Sequence, residues 1–200
     1  MKSRGDEVAA ATRPYTMRAR AAAAERTAER IAVAAFELWR DVGLDEMTLQ
    51  QVAERAGVTV QTVLRRFGSK DGVIQAGFEY GANAVVVQRA TAPHDDLRGA
   101  LDVLLDHYEE WGDAAVRTVA LEDRYPAAAT IGRFGRAAHR EWCEYHLAPP
   151  DHDDTLLDAL VAATDACVWK LLRRDLGRSR EQTQAVMERL VLGALGTSQT

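Results

Sequence analysis

The stretch Thr48–Lys70, TLQQVAERAGVTVQTVLRRFGSK, decides the fold. Thr48 stands before an apolar-periodic run with Gln51 three residues later, the spacing at which two side chains satisfy each other's orphan backbone donors at a helix start. A helix over about Leu49–Ala56 follows. Gly57 can take the left-handed conformation that stops it, and Thr59 offers a capping oxygen to a second short helix through Phe67. Gly68 breaks that one, and Ser69 starts another. Two short helices joined through a glycine turn can be mere packing, so the interior spacing matters. Ala53 is the small residue where the two would approach most closely, Val58 follows the turn, and Val63 points back toward Val52.

Working outward, almost every other segment repeats its apolar residues at helical spacing, and none sustains the two-residue alternation of a strand. The expected fold is all-α, with about nine helices. Residues 1–17, polar and broken by Pro14, read as a flexible arm carrying Lys2, Arg4 and Arg13. A helix from about residue 18 carries the stripe Ile31, Ala35, Leu38, Val42 and is capped by Gly43. The arm and a head over 18–72 are followed by a linking helix over 69–89, and Thr91-Ala92-Pro93 marks the boundary of a body over 90–200. In the body, helices are expected over Asp95–Trp111 with Gly112 as the stop, Asp113 to about Arg124, and Ala127 to about Leu147 before Pro149-Pro150. A continuous three-and-four pattern runs from Leu157 to Leu172, and a last helix spans Arg180 to about Leu195.

Charge is divided along the chain. The net charge of −5 argues against a general polyanion-binding surface, but residues 1–72 hold 12 Lys and Arg against 10 Asp and Glu, and residues 73–200 hold 13 against 20. A mildly basic front on an acidic body suits a protein that touches phosphate with one end. No apolar run approaches a membrane span, and the opening residues lack the apolar core of a secretory signal, so a cytoplasmic protein without a membrane partner is expected. Cys143 and Cys167 sit in helical patterns, as in a reducing compartment.

Side-chain chemistry then assigns roles. Gln61 on the outer face of the second short helix can pair with adenine N6 and N7, and Arg65 can fork onto guanine O6 and N7. Val60 can touch a thymine methyl and Gln50 can reach a base edge from the preceding helix. Thr48, Thr59, Thr62 and Lys70 suit phosphate, with Arg66, Arg18 and Arg20 as further cationic contacts.

Residues 57–70, GVTVQTVLRRFGSK, closely resemble the signature of the TetR family of transcriptional regulators, whose third helix reads DNA. Leu64 departs from it, standing where these regulators often place a tyrosine that hydrogen-bonds a phosphate. The resemblance implies a homodimer on a palindromic operator, a body that binds a small-molecule effector, and a four-helix interface from the last two helices. Leu157, Leu160, Val161, Thr164, Val168, Leu171, Val186 and Leu190 carry the stripes that suit such an interface or, alternatively, an intrachain core. Tyr108, Trp111, Phe134, Trp142 and Tyr145 gather in helices that would surround a pocket, with His139 on the same surface. His139, Cys143 and His146 share one helix face, but three ligands from one helix rarely converge on an ion, so no metal or other cofactor is expected. Nor is an enzyme: the chain has neither a Glu-x-x-His pair nor a phosphate loop, and Glu122, Glu141 and Glu144 form no partnered set. The rival readings are a helical protein-interaction module, a regulator without a ligand, and a helical-bundle enzyme.

Overall fold

The computed structural model describes residues 5–196, with side chains from residue 17 onward, and every regular element among them is helical. The first helix, α1 (Gly5–Asp41), starts well before residue 18, in keeping with the high helix propensity of its alanine-rich sequence. Of the expected arm, residues 1–4 lie outside the described residues. The elements α2 (Leu49–Ala56), α3 (Val60–Phe67) and α4 (Lys70–Arg89) follow with the boundaries their capping residues dictate. Ile31, Ala35 and Leu38 of α1 meet Val52, Ala53, Val63, Val73 and Ile74 in one buried cluster. That cluster also takes Leu121, Ala127, Ala128 and Ile131 from the body, so apolar packing continues across the expected boundary.

The body contains α5 (Leu97–Val119), α6 (Pro126–His146), α7 (Asp154–Thr164), α8 (Ala166–Lys170) and α9 (Arg180–Ala194). Its own core joins Leu101, Leu104, Leu105 and Tyr108 of α5 to Trp142, Leu157, Leu160, Trp169, Met187 and Val191. Removing side chains of this size from water contributes roughly 1.5–3 kcal/mol each.

Two expectations are corrected here. Gly112 does not end a helix, and no separate helix covers Asp113–Arg124: α5 runs through Gly112 unbroken, then turns connect it to Pro126. The glycine serves close approach instead. The fully buried Trp169 lies against it, and a Cβ there would sit 2.6 Å from the indole ring. The pattern from Leu157 to Leu172 is likewise interrupted, at Asp165, whose extended backbone (φ −65°, ψ 150°) and carboxylate, accepting from the Cys167 N–H at 2.7 Å, start α8 afresh. A π-helical turn over Leu171–Asp175 continues α8. Its wider winding accompanies three ion pairs to α5, Arg173 to Glu109 at 2.5 Å, Arg174 to Asp113 at 3.0 Å and, more loosely, Arg174 to Glu109 at 3.9 Å.

Candidate nucleic-acid interface and an internal cavity

The reading unit is fixed by its caps. Thr48 Oγ1 accepts from the Gln51 N–H at 3.2 Å, and Gln51 Oε1 accepts from the Thr48 N–H at 2.7 Å. At the turn Gly57 adopts φ 65°, ψ 41°, a conformation costly for any residue with a Cβ, and the next N–H, of Val58, returns to the Ala53 carbonyl at 2.9 Å. Thr59 Oγ1 then accepts from the Thr62 N–H at 3.2 Å and lies 3.0 Å from the Thr62 hydroxyl. The three threonines expected at phosphate therefore also hold the helix starts together.

Val63 is fully buried and pins the inner face of α3, leaving Gln61, Leu64, Arg65 and Arg66 exposed. Gln61 and Arg65 are four residues apart, on one helical face. Among the described residues neither Arg65 nor Arg66 has an ion-pair or hydrogen-bond partner, so both guanidinium groups keep all their donors. Val60 is half-buried, and the Gln50 amide donates to Glu54 Oε1 at 2.7 Å, a bond it would give up to reach a base. Lys70 is more enclosed than a phosphate contact requires. Its Nζ lies 3.4 Å from the Asp45 carbonyl and 5.5 Å from the centre of the Tyr125 ring, and partial burial lowers its pKa against the pull of Asp45 and Asp71. Arg18 and Arg20 are exposed on α1.

Behind this face lies a cavity of about 370 Å³ between α1, α4, α5 and α6, within the range of small-molecule sites. Most of its wall is apolar, including Phe36, Ile74, Phe78 and Val85. Of the expected ligand residues, Tyr108, Trp111, Phe134 and His139 line it. Trp142 lies in the core beside it, its indole N–H donating to the Arg89 carbonyl at 3.1 Å, and Tyr145 is exposed with its ring edge on His94.

Arg89 and His107 also line the cavity, and the sequence reading missed both. The signal was present. Ile74, Phe78, Val85 and Arg89 fall at intervals of four, seven and four on α4, so the arginine sits on an apolar stripe. Arg89 Nη2 donates to His139 Nδ1 at 2.7 Å. An arginine has no acceptor, so His139 must be neutral with its proton on Nε2, which is 3.2 Å from Thr164 Oγ1. Thr164 in turn donates to the Leu160 carbonyl at 2.7 Å. Burial, with the charge of Arg89, pushes the His139 pKa down to about 4 and that of His107 to about 3, so both imidazoles are neutral at physiological pH.

The comparisons match this geometry. Residues 31–76 match the family model described as bacterial regulatory proteins, tetR family. The chain carries a TetR-family DNA-binding domain. The rest of it has the overall fold of such regulators. A transcriptional regulator from Rhodococcus sp. Rha1 superposes with a TM-score of 0.65 at 19% identity, covering 86% of this chain and 99% of that one. A tetR-family transcriptional regulator from Streptomyces coelicolor gives 0.66 at 16% identity, covering 86% and 80%. The multidrug binding protein EbrR, complexed with imidazole, gives 0.59 at 21% identity, covering 81% and 88%. No curated protein matches the chain.

Within the TetR-family fold, the remaining candidate residues separate into two groups. Leu157, Leu160 and Thr164 are buried in the chain's own core, which leaves them no surface for a second copy. Val161 and Val168 are half-buried, whereas Leu171, Val186 and Leu190 are 48%, 38% and 45% exposed. His139 and Cys143 turn toward Thr164, and His146 stacks on His94 at 4.7 Å, so the face they share on α6 does not converge. Among the described residues no His, Cys, Asp and Glu group could hold a metal ion, and no helix is long and apolar enough to cross a membrane.

Proposed function

We propose that this TetR-family regulator is a homodimeric repressor acting in the cytoplasm, which binds a palindromic operator and leaves it when a small-molecule effector occupies the internal cavity. The unpartnered, exposed Gln61–Arg65 face of α3 carries the reading, because it offers two bidentate base readers on a helix whose inner face is fixed. Gln50 and Val60 flank the base edges, while Thr48, Thr59, Thr62, Arg66 and Lys70 hold phosphate. Leu171, Val186 and Leu190 form the apolar face that a second copy covers, and pairing through it would hold two heads about 34–36 Å apart for successive major grooves.

Release follows from what the cavity touches. Its wall includes α4, which leads directly to Ser69 and Lys70 beside α3. Trp39 of α1 also donates to Thr118 of α5 at 2.7 Å, and Arg117 donates to the Arg40 carbonyl at 2.9 Å. A ligand between these helices shifts the dimer toward a head spacing that no longer fits the grooves. The fold likeness to EbrR, which binds imidazole in its structure, supports a ligand-binding body. Selection of bound duplexes from random DNA tests the proposal. A palindromic consensus, bound by two copies, is expected; duplexes recovered without a consensus would refute it.

A further inference from the structure

Among the described residues Arg89 is the one buried arginine. It is 7% exposed, and among the described residues no carboxylate pairs with it. Its neighbours are neutral: His139 accepts from Nη2, the Trp142 ring lies 5.0 Å from the guanidinium carbon, and Nε has no partner. A buried cation ordinarily requires an opposite charge, and arginine cannot escape by losing its proton. Trp142 supplies a partial one through its ring face.

The cavity wall shows the same imbalance in a second, independent way. Trp111 Nε1 and His107 Nδ1 are also buried without partners, and both residues line the cavity together with Arg89. The indole N–H and the arginine Nε–H can only donate, and a neutral imidazole can place its proton on Nδ1. The unpartnered polar atoms of the wall thus supply donors. Among the described residues the other charged side chains on the wall are already engaged: Arg136 grips Glu122 at 2.6 and 3.1 Å, and Asp165 caps α8.

We propose that the cavity takes an organic anion, a carboxylate carried on an aromatic or aliphatic body, with Arg89 as its charge partner. This deepens the effector reading and rests on the cavity being the ligand's site. The carboxylate supplies the acceptor oxygens and the charge that Arg89 lacks, while Phe36, Ile74, Phe78 and Val85 receive the apolar body. His107 and Trp111 turn their N–H groups to the same anion. Selectivity comes from the charge, since a neutral isostere leaves the guanidinium buried and unpaired.

The test is calorimetric titration of the full chain with benzoate, 2-naphthoate, octanoate and decanoate, each beside its primary amide. At least one acid is expected to bind tenfold or more tightly than its amide. Arg89→Met should bring that ratio to within twofold while the amide's own affinity holds, and Arg89→Lys should retain part of the preference. The acid-to-amide ratio in the unaltered protein needs no variant to fold. Amides that bind as tightly as their acids, no binding by any of the eight compounds, or a preference that survives Arg89→Met would overturn the proposal. Operator binding measured in parallel separates the two claims. A carboxylate held through Arg89 that leaves DNA affinity unchanged upholds the anion site and removes the effector role; an amide that releases DNA as well as its acid does the reverse.

Discussion

The head and the body bury their side chains by different rules. Around α2 and α3 the inward residues are apolar and the polar ones either cap a helix or face outward: Val52 and Val63 are fully buried, while Gln61, Arg65 and Arg66 are exposed. The linking helix and the body instead bury Arg89, His107 and His139 beside a cavity. A well-packed unit with satisfied caps presents a surface rigidly, which is what base reading needs. A hollow lined by unpaired donors is costly to maintain in the absence of a ligand, and such cost is characteristic of binding sites rather than of stability.

The largest effect expected from breaking this arrangement concerns the proposed pairing of two heads. Val186→Glu combined with Leu190→Glu places two carboxylates on the exposed apolar face of α9, and a monomer is expected by sedimentation. Operator affinity should then fall by at least about a hundredfold, roughly 2.7 kcal/mol, because one half-site is lost. Gly112→Ala comes next. Alanine normally gains about 1 kcal/mol over glycine inside a helix, but here its Cβ would meet Trp169, so urea unfolding should show a loss of about 1–3 kcal/mol. A gain would show that the α5–Trp169 contact is looser than described.

The buried histidines set a pH dependence. Their folded pKa values of about 4 and about 3 lie below the unfolded value of 6.5, so the unfolded chain takes up protons first as the solution is acidified. Their full contribution to stability is present above pH 6.5 and is lost progressively as pH falls from there toward 4 and then 3, at up to about 1.4 kcal/mol per pH unit for each histidine. Denaturant melts between pH 7 and 5 should show that slope, and His107→Gln should flatten it. The smallest effect belongs to the head's turn: Gly57→Ala forces a Cβ into the left-handed region at a cost of about 1 kcal/mol, and the new carbon meets only ordinary contact with the Arg30 guanidinium at 3.8 Å.

The same contrast explains what could be read in the sequence. The capping box at Thr48, the turn at Gly57 and the cap at Thr59 are local devices whose partners lie within three or four residues, so the spacing alone determines them. Gly112 misled because a stop and a close approach use the same residue, and only the arrival of Trp169 from 57 positions along the chain distinguishes them. Arg89 was obscure for a similar reason. As the last residue of α4 it reads as a favourable charge at a helix end, and its burial depends on α6 bringing His139 and Trp142 against it. The interface stripes divided along the same line: Leu157 and Leu160 had intrachain partners that periodicity cannot reveal, whereas Leu171, Val186 and Leu190 remained outside.

The most direct test of the account compares the unaltered protein with Gln61→Ala/Arg65→Ala on the selected operator and on a scrambled duplex, at two salt concentrations. Each lost bidentate reader should cost about 1–3 kcal/mol on the operator, and the double variant should bind operator and scrambled DNA alike while keeping its fold, its dimer and its salt dependence. Undiminished preference for the operator in the double variant would contradict the assignment of α3 as the reading helix.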